Sequence, residues 1–439
     1  MDCRVIRPVA LPDGLTMTNA ELTLQFLLQI AVILVFCQLV GVVAKRLGQP
    51  QVVAEMVAGV LLGPSLLGLF WPELFAGLFP TDSMKVLFPV AQLALAAYMF
   101  VVGMEFRIDI VRHCYRSAIA VSLAGMVTPF ILGGALGWYF FHYTAFFPSQ
   151  TSLFEAMLFL GAAMCITAFP MLARIIHFKK LTGTTIGTVA LGAGAIDDAA
   201  AWCLLAIVLA SMDGHFLNAA ISIAGGVGYV AMTLLVLKPM LARYAAAVEK
   251  RGALSESEFV FCLVIFALGA WFTEVLGLHA VFGAFVMGAA MPRGIVTKAL
   301  IERIEPLTLA LLLPLFFTFS GLNTRITLLD SPYLWGMGAL TLAAAIFGKG
   351  IACWLAARST GMSNREALGI GTLMNARGMM ELIIINIGLQ RGIISPSLFA
   401  VLVIMAVVTT LMASPIFDRL VGKNPAGARN APLPSSTAA

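Results

Sequence analysis

The feature of this sequence that most constrains its fold is a series of long apolar segments that recurs from Leu22 to Leu420. Each segment is close to the ~20 residues that a helix needs to cross the hydrocarbon core of a bilayer. Hydrophobic residues make up 60% of the chain and charged residues 11%, whereas a soluble globular domain has about 25% charged residues. The sequence therefore predicts an all-α polytopic membrane protein, and it excludes a soluble enzyme, a disordered chain and a nucleic-acid binder.

Charged and Pro/Gly-rich breaks divide the apolar sequence into thirteen predicted transmembrane helices. Their bounds are 22–43, 51–69, 85–104, 117–141, 153–176, 184–211, 216–237, 257–275, 277–291, 306–321, 333–357, 366–390 and 397–420. The loops after the odd-numbered helices contain 20 of the 27 lysines and arginines, and the opposite side contains five. Because basic loops stay in the cytoplasm, we expect an extracytoplasmic N-terminal tail (1–21) and a short, disordered cytoplasmic tail (421–439).

The sequence shows no pattern typical of a metal site, a cofactor site or a catalytic centre. The five histidines are scattered without the spacing of metal ligands, and the seven cysteines form no CxxC pair. No nucleophile and base stand in an arrangement that suggests catalysis. The region before the first helix lacks a small-residue cleavage site, so we expect no removable signal peptide.

A few ionisable residues stand inside the predicted helices. Asp197 and Asp198 are adjacent in GAGAIDDAAAWCLLAI, and Lys349 lies in LTLAAAIFGKGIACWLAA. Arg377 and Glu381 lie in LMNARGMMELIIINIGL. Each charge at the centre of a bilayer costs at least about 2.5 kcal/mol, so such residues indicate function.

The adjacent aspartates suggest ion exchange. Neighbouring side chains on a helix point about 100° apart, so one carboxylate can face a water-filled cavity while the other faces another helix. Carboxylate oxygens suit hard cations, and a carboxylate removed from water also binds a proton more readily. One group can then hold a cation or a proton but not both, which is the minimum chemistry of antiport. The alternative is a pair neutralised by the buried cations for packing alone.

The buried cations leave two interpretations each. Lys349 is either a static salt-bridge partner of an aspartate or a titrating group, because lysine shifts its proton affinity readily on burial. Arg377 and Glu381 are four residues apart, which places them on one face of a predicted helix. Because arginine hardly ever loses its proton, this pair is interpreted as a structural clamp, and a proton-carrying role is the alternative.

Two predicted helices contain interruptions. The fifth has Thr167 and Pro170 at its middle, and the twelfth has Asn375, Arg377 and Gly378 there. Proline removes a backbone donor, and broken backbone is tolerated at membrane depth only where it is buried in protein or lines a cavity. The two helices are expected to run in opposite directions, which indicates an inverted repeat with an ion site near the midplane. Ordinary packing kinks are the alternative.

Several segments together carry a resemblance to a known family. They are RLGQPQVVAEMVAGVLLGPSLLG, AAYMFVVGMEFR, CITAFPMLARII, AGAIDDAAAWCLLA, LGLHAVFGAFVMGAAMP, LPLFFTFSGL, FGKGIACW and NARGMMELIIINIGL. In their order and spacing the chain resembles the monovalent cation:proton antiporter superfamily. The similar branch contains bacterial sodium/proton antiporters, Kef-type potassium efflux proteins and plant cation/proton exchangers. The resemblance covers residues 22–420.

This resemblance implies the sodium/proton antiporter fold, with thirteen helices, inverted repeats and two interrupted helices that cross. Helices 1–3 and 8–10 would form a dimerising panel, helices 4–6 and 11–13 a moving core, and helix 7 the connection. Asp198 would bind Na⁺ or K⁺ transiently, in exchange for protons, and Thr167 would line the site. Asp197 would pair with Lys349. The implied protein is a homodimer in the bacterial inner membrane that contributes to pH homeostasis by an elevator-like mechanism.

The resemblance leaves the ion and the stoichiometry open. The aspartate pair with Lys349 is similar to electrogenic sodium/proton antiporters, whereas ITAFP, DDAAAWCLLA and NARGMMEL are closer to potassium-linked and plant exchangers. Na⁺ is the favoured cation, and K⁺ and Li⁺ are possible substrates. The alternative functions are a Kef-like potassium efflux channel or transporter and a cation-coupled transporter of organic solutes with a related fold.

Overall fold

The computed structural model describes residues 17–105, 108–213, 216–322 and 331–422, which are nearly all helical. The helices are, in chain order, α1 (Asn19–Arg46), α2 (Gln51–Leu62), α3 (Leu67–Phe70), α4 (Pro72–Leu78), α5 (Thr81–Glu105), α6 (Ile108–Tyr143), α7 (Leu153–Cys165), α8 (Phe169–Phe178), α9 (Thr185–Asp213), α10 (Phe216–Met232), α11 (Lys238–Arg251), α12 (Glu256–Val275), α13 (Ala280–Ala290), α14 (Ile295–Leu307), α15 (Leu313–Leu322), α16 (Pro332–Ser359), α17 (Asn364–Leu373), α18 (Met379–Gln390) and α19 (Pro396–Val421). Most of the predicted N-terminal tail (1–21) and nearly all of the predicted C-terminal tail (421–439) lie outside the described residues.

The described residues contain nine helical stretches that are long and apolar enough to cross a membrane, and α7 and α13 are shorter apolar helices. The predicted count of thirteen is therefore not confirmed. Part of the difference has a physical reason, because two predicted helices are divided into halves too short to cross alone. The fifth becomes α7 and α8, and the twelfth becomes α17 and α18. Both predicted interruptions are confirmed.

Several predicted helix ends are wrong. The helix expected to end at 237 continues through a π-helical turn (Thr233–Leu237) and α11 to Arg251. Its basic residues predict a loop, but Lys and Arg are also good helix formers. The helix ends at Gly252, whose φ of 78° is left-handed. The loop expected at 292–305 contains most of α14, which continues into α15 through a second π-helical turn (Thr308–Leu312).

The first halves of the two interrupted helices begin in the same way. Before α7, the Ser152 side chain accepts from the backbone N–H of Glu155, whose carboxylate accepts from the backbone of Ser152 in return. Ser363 and Glu366 form the same capping box before α17. Each box satisfies backbone donors that the first turn of a helix leaves without partners, so both half-helices have a sequence-encoded start.

The chain divides into two compact units. Unit 1 contains residues up to 47, 51–105 and 226–327, and unit 2 contains 48–50, 106–225 and the residues from 328 onward. Within unit 1, α5 packs against α13 and α2 packs against α15. The latter contact brings Gly59 and Gly63 against the backbone around Gly321, so closely that a Cβ would overlap it.

Unit 2 contains both interrupted helices. Within it, α6 packs against α7, α9 and α16, and α19 packs against α16, α17 and α18. The two breaks meet where the backbone N–H of Ala168 donates to the carbonyl oxygen of Ala376 at 3.3 Å. Unpaired backbone groups at membrane depth need such partners, and each break thus helps to satisfy the other.

Close backbone contact fixes α6 against α7. A Cβ on Gly133 would lie 2.6 Å from the carbonyl oxygen of Leu160, and one on Gly137 would lie 2.8 Å from that of Ala156. On the next face of α6, a Cβ on Gly134 would approach only the carbonyl oxygen of Met157, at 3.7 Å. The two neighbouring glycines therefore differ in the space beside them.

We expect Gly133→Ala to lower the melting temperature of the detergent-solubilised protein by several degrees, because overpacking of this kind costs about 1–3 kcal/mol. Gly134→Ala is the matched control. It adds an ordinary contact and replaces a glycine that is about 1 kcal/mol less favourable in a helix than alanine, so its melting temperature should equal or exceed that of the wild type. Equal losses in the two variants would contradict the packing argument.

Candidate functional site

The first break lies between α7 and α8. α7 ends at Cys165, and Ile166 and Ala168 have extended backbone before α8 begins at Phe169. Pro170 stands in the first turn of α8, where the missing N–H has no helical partner to lose and the fixed φ suits the helix. Thr167 and Pro170 predict freed backbone around Ala168, and the break lies there.

The second break lies between α17 and α18. It runs from Met374 to Gly378, whose φ of 170° and ψ of −132° precede the first helical residue Met379. Arg377 therefore stands in the non-helical segment before α18, so the prediction that it shares a helical face with Glu381 is wrong. Thr410 of α19 holds this non-helical segment in place, because its Oγ1 accepts from the Arg377 N–H at 3.0 Å and donates to the Arg377 carbonyl at 2.6 Å.

Asp197 of α9 is completely buried and surrounded by donors. Thr167, in the first break, donates to its Oδ2 at 2.5 Å, and Ser122 of α6 donates to its Oδ1 at 2.6 Å. Lys349 of α16 lies with its Nζ 3.8 Å from Oδ2, and both side chains of this ion pair are fully buried. Each oxygen of the Asp197 carboxyl group thus has a hydroxyl donor, and one of them also lies beside a cationic side chain.

Asp198, one residue further along α9, has a different environment. Its side chain is 5% exposed, and no described residue forms a hydrogen bond with its Oδ1. Thr167, expected to line the site, donates to the neighbouring Asp197. The adjacent carboxylates therefore differ in kind: one is held by donors, and the other has an oxygen that no described residue satisfies.

Two buried cations cover the C-terminal end of α7. Lys349 Nζ donates to the carbonyl oxygen of Cys165, and the Arg377 guanidinium donates to those of Met164 at 2.6 Å and Ala163 at 3.3 Å. The last carbonyls of a helix have no helical partner and carry the negative end of its dipole. The two cations therefore supply both hydrogen bonds and charge to the half-helix that ends inside the protein.

Glu381 and Asn375 complete the set of predicted residues. Glu381 pairs with Arg377 across 3.1 Å, and both side chains are buried. Asn375 donates to the carbonyl oxygen of Gly371 at 2.9 Å and lines an apolar cavity of about 250 Å³ beside α16 and α19. The structure thus joins Thr167, Asp197 and Lys349, joins Arg377 with Glu381, and leaves Asn375 outside both groups.

Ser122 is the residue that the sequence did not reveal. It stands in the apolar run AIAVSLAGM, and a single serine in such a helix is common enough to carry no signal. Only the packing of α6 against α9 brings it to Asp197. Among the described residues, no group of three or more His, Cys, Asp or Glu side chains is arranged to hold a metal ion.

Comparisons with known proteins identify the family to which the chain is similar. The family model described as sodium/hydrogen exchanger, transmembrane, matches residues 31–423. The chain is 38% identical to the Na⁺/H⁺ antiporter NhaS4 of Synechocystis, over 90% of this chain and 97% of that protein. It is 36% identical to cation/H⁺ antiporter 17 of Arabidopsis thaliana and 33% identical to K⁺/H⁺ antiporter 1 of Saccharomyces cerevisiae, and it spans 47% and 46% of their lengths, with 89% and 91% of this chain covered.

A solved structure has the same fold. The sodium/proton antiporter MjNhaP1 of Methanocaldococcus jannaschii matches with a TM-score of 0.63, over 91% of this chain and 98% of that chain. The identity is 15%, so this comparison concerns architecture and not individual site residues.

We expect Arg377→Met to destabilise the protein far more than Glu381→Gln. Removing one partner of a buried ion pair costs about 3–5 kcal/mol, and the arginine change also frees two carbonyls of α7, whereas glutamine still offers an oxygen to Arg377. Thermal melting in detergent measures the difference. Lys85→Met is the control, because that lysine is 73% exposed in its pair with Asp82 and such pairs contribute about 0–1 kcal/mol. Similar losses for the two buried variants would contradict the role given to Arg377.

Proposed function

This chain belongs to the sodium/hydrogen exchanger family, and from that premise we propose that it is a secondary antiporter that exchanges protons for a monovalent cation. Na⁺ is the proposed cation, and K⁺ is the alternative. The names of the relatives support both, because one is a Na⁺/H⁺ antiporter and another a K⁺/H⁺ antiporter. The observation that carries the proposal is the buried Asp198, whose Oδ1 no described residue satisfies.

Asp198 is the proposed carrier of both ions. A buried carboxylate without a donor needs a positive charge or a proton to offset the loss of water. A cation bound to its oxygens and a proton bound to one of them exclude each other. Binding of one therefore releases the other, and that competition couples the two flows without any further energy source.

Asp197 has a supporting role in this proposal. The hydroxyl groups of Thr167 and Ser122 occupy both of its oxygens, and Lys349 stands beside one of them. These partners keep Asp197 ionised and in place while its neighbour changes occupancy. Arg377 and Glu381 form the clamp that holds the ends of the interrupted helices, which have to keep their shape through the cycle.

We also propose that unit 2 is the moving core and unit 1 the dimerising panel of an elevator-like mechanism. Both aspartates, both interrupted helices and the buried side chains of Lys349, Arg377 and Glu381 stand in unit 2. A carrier that keeps its ion site inside one compact unit can move the site as a body. The distribution of basic residues supports an extracytoplasmic N-terminus and a cytoplasmic C-terminus in a bacterial inner membrane.

We expect Asp198→Asn to abolish exchange, because asparagine neither binds a proton reversibly nor offers an anionic ligand. Dye-monitored proton movement in proteoliposomes, with Na⁺, K⁺ and Li⁺ tested across pH, measures the effect and identifies the cation. Asp82→Asn is the matched control, since its carboxylate lies in an exposed pair at the start of α5. Wild-type exchange by Asp198→Asn at saturating cation would refute the carrier assignment, and cation flux without proton movement in the wild type would indicate a channel.

We propose that Lys349 carries a second proton, so that two protons exchange for one cation. When Lys349 gives up its proton, the hydroxyl groups of Thr167 and Ser122 still donate to the two oxygens of Asp197, and these hydrogen bonds favour its ionised form. Wild-type flux in proteoliposomes should then respond to an imposed membrane potential, and reversal potentials at several ion gradients should give the stoichiometry. Lys349→Gln should lose this response, either by becoming electroneutral or by losing transport. Wild-type flux that ignores the potential would contradict a second proton.

A further inference from the structure

The two oxygens of Asp197 are held differently. Thr167 donates to Oδ2, the oxygen that also lies beside Lys349. On Oδ1, by contrast, the Ser122 hydroxyl is the donor that the described contacts provide, at 2.6 Å, and Ser122 is 1% exposed. The neutral Ser122 hydroxyl is therefore the described donor to Oδ1 of Asp197, whereas Oδ2 has both the Thr167 hydroxyl and the Lys349 ammonium group beside it.

We infer that Ser122 is a positioning residue that sets how tightly Asp197 and Lys349 hold their shared proton. This inference rests on the exchange proposed above and deepens it by naming what tunes the pH range of exchange. Ser122 acts through Asp197, to which its hydroxyl donates.

The hydrogen bond from Ser122 stabilises the ionised form of Asp197. A hydrogen bond to an ionised acceptor is roughly twice as strong as one between neutral groups, and hydrogen bonding to the charged form of a carboxyl group favours that form. Without the Ser122 hydroxyl, Oδ1 would be a buried anionic oxygen with no described donor, which is costly. The remaining ways to satisfy Asp197 are to bind a proton itself or to hold the Lys349 ammonium more firmly. Either change raises the affinity of the Asp197–Lys349 pair for protons.

Ser122 is suited to this role because it adds no charge of its own. The ionisable groups near the pair come from the other elements: Lys349 and Cys353 on α16, Cys165 on α7, Asp198 on α9, and Arg377 and Glu381 at the second break. A substitution at Ser122 changes neither the number nor the sign of these ionisable groups. A shift in proton binding after its removal therefore reports the hydrogen bond rather than a new charge.

The test measures the pH dependence of Na⁺-driven proton exchange, or K⁺-driven exchange if that is the substrate, in proteoliposomes of the full chain. For Ser122→Ala we expect the midpoint of activation to move to higher pH by about one unit, since protons are released less readily. One unit is a tenfold change in proton affinity, or about 1.4 kcal/mol. Ser122→Thr keeps a hydroxyl and should return the midpoint toward the wild-type value.

Thr341→Val is the matched control. Thr341 is a buried residue of α16 whose hydroxyl donates only to the carbonyl of Met337 within its own helix, so its loss should leave the midpoint unchanged. If Ser122→Ala does not fold, Ser122→Cys replaces it, and its weak S–H donor should give a smaller shift in the same direction.

The outcomes separate the two proposals. If the wild type exchanges ions and Ser122→Ala keeps the wild-type midpoint, or if Thr341→Val shifts the midpoint as much as Ser122→Ala does, the inference about Ser122 is wrong and the proposed function stands. If the wild type shows no exchange of protons for any monovalent cation, the proposed function fails and the inference fails with it. A shift to lower pH in Ser122→Ala would also overturn the inference.

Discussion

The C-terminal end of α7, which stops inside the protein, is the constraint on which the site depends. Its last carbonyls cannot reach bulk water, and a helix end without partners is unfavourable at membrane depth. Lys349 and Arg377 satisfy the carbonyls of Ala163, Met164 and Cys165. Two buried cations in turn require nearby anions, which Asp197 and Glu381 supply. The interrupted helix and the charged cluster are thus one arrangement, since neither would be stable without the other.

Much of this arrangement could be predicted from the sequence, because its parts are conspicuous in apolar surroundings. Lysine, arginine and acidic residues inside long apolar segments stand out by their cost, and proline marks a break by its missing N–H. The interruptions follow from such residues, whereas the pairing of Asp197 with Lys349 is implied by the resemblance to the antiporter family. The non-helical backbone at Arg377 could not be foreseen, because it depends on Gly378 and on the side chain of Thr410 from another helix.

Other features escaped prediction because they depend on the rotation and contact of helices rather than on residue type. The spacing of two adjacent aspartates shows that they face different directions, but not which one meets the hydroxyls of Ser122 and Thr167. Nor does a basic stretch show whether it is a loop or a continuing helix, as α11 demonstrates with its end at Gly252. In this stretch the helix propensity of the residues favours a helix and their positive charge favours a cytoplasmic loop. The helix ends only where Gly252 adopts a left-handed conformation.

The contact of α6 with α7 through Gly133 and Gly137 also bears on how such a site can diversify. Because the backbones touch, these two helices cannot move apart without losing the contact that holds them. They carry Ser122 and the half-helix that ends just before Thr167, so this contact helps to fix the distance between the two hydroxyl groups that donate to Asp197. Substitutions in descendants of such a chain would then change the donors around Asp197 one side chain at a time, while the helices that carry them keep their positions.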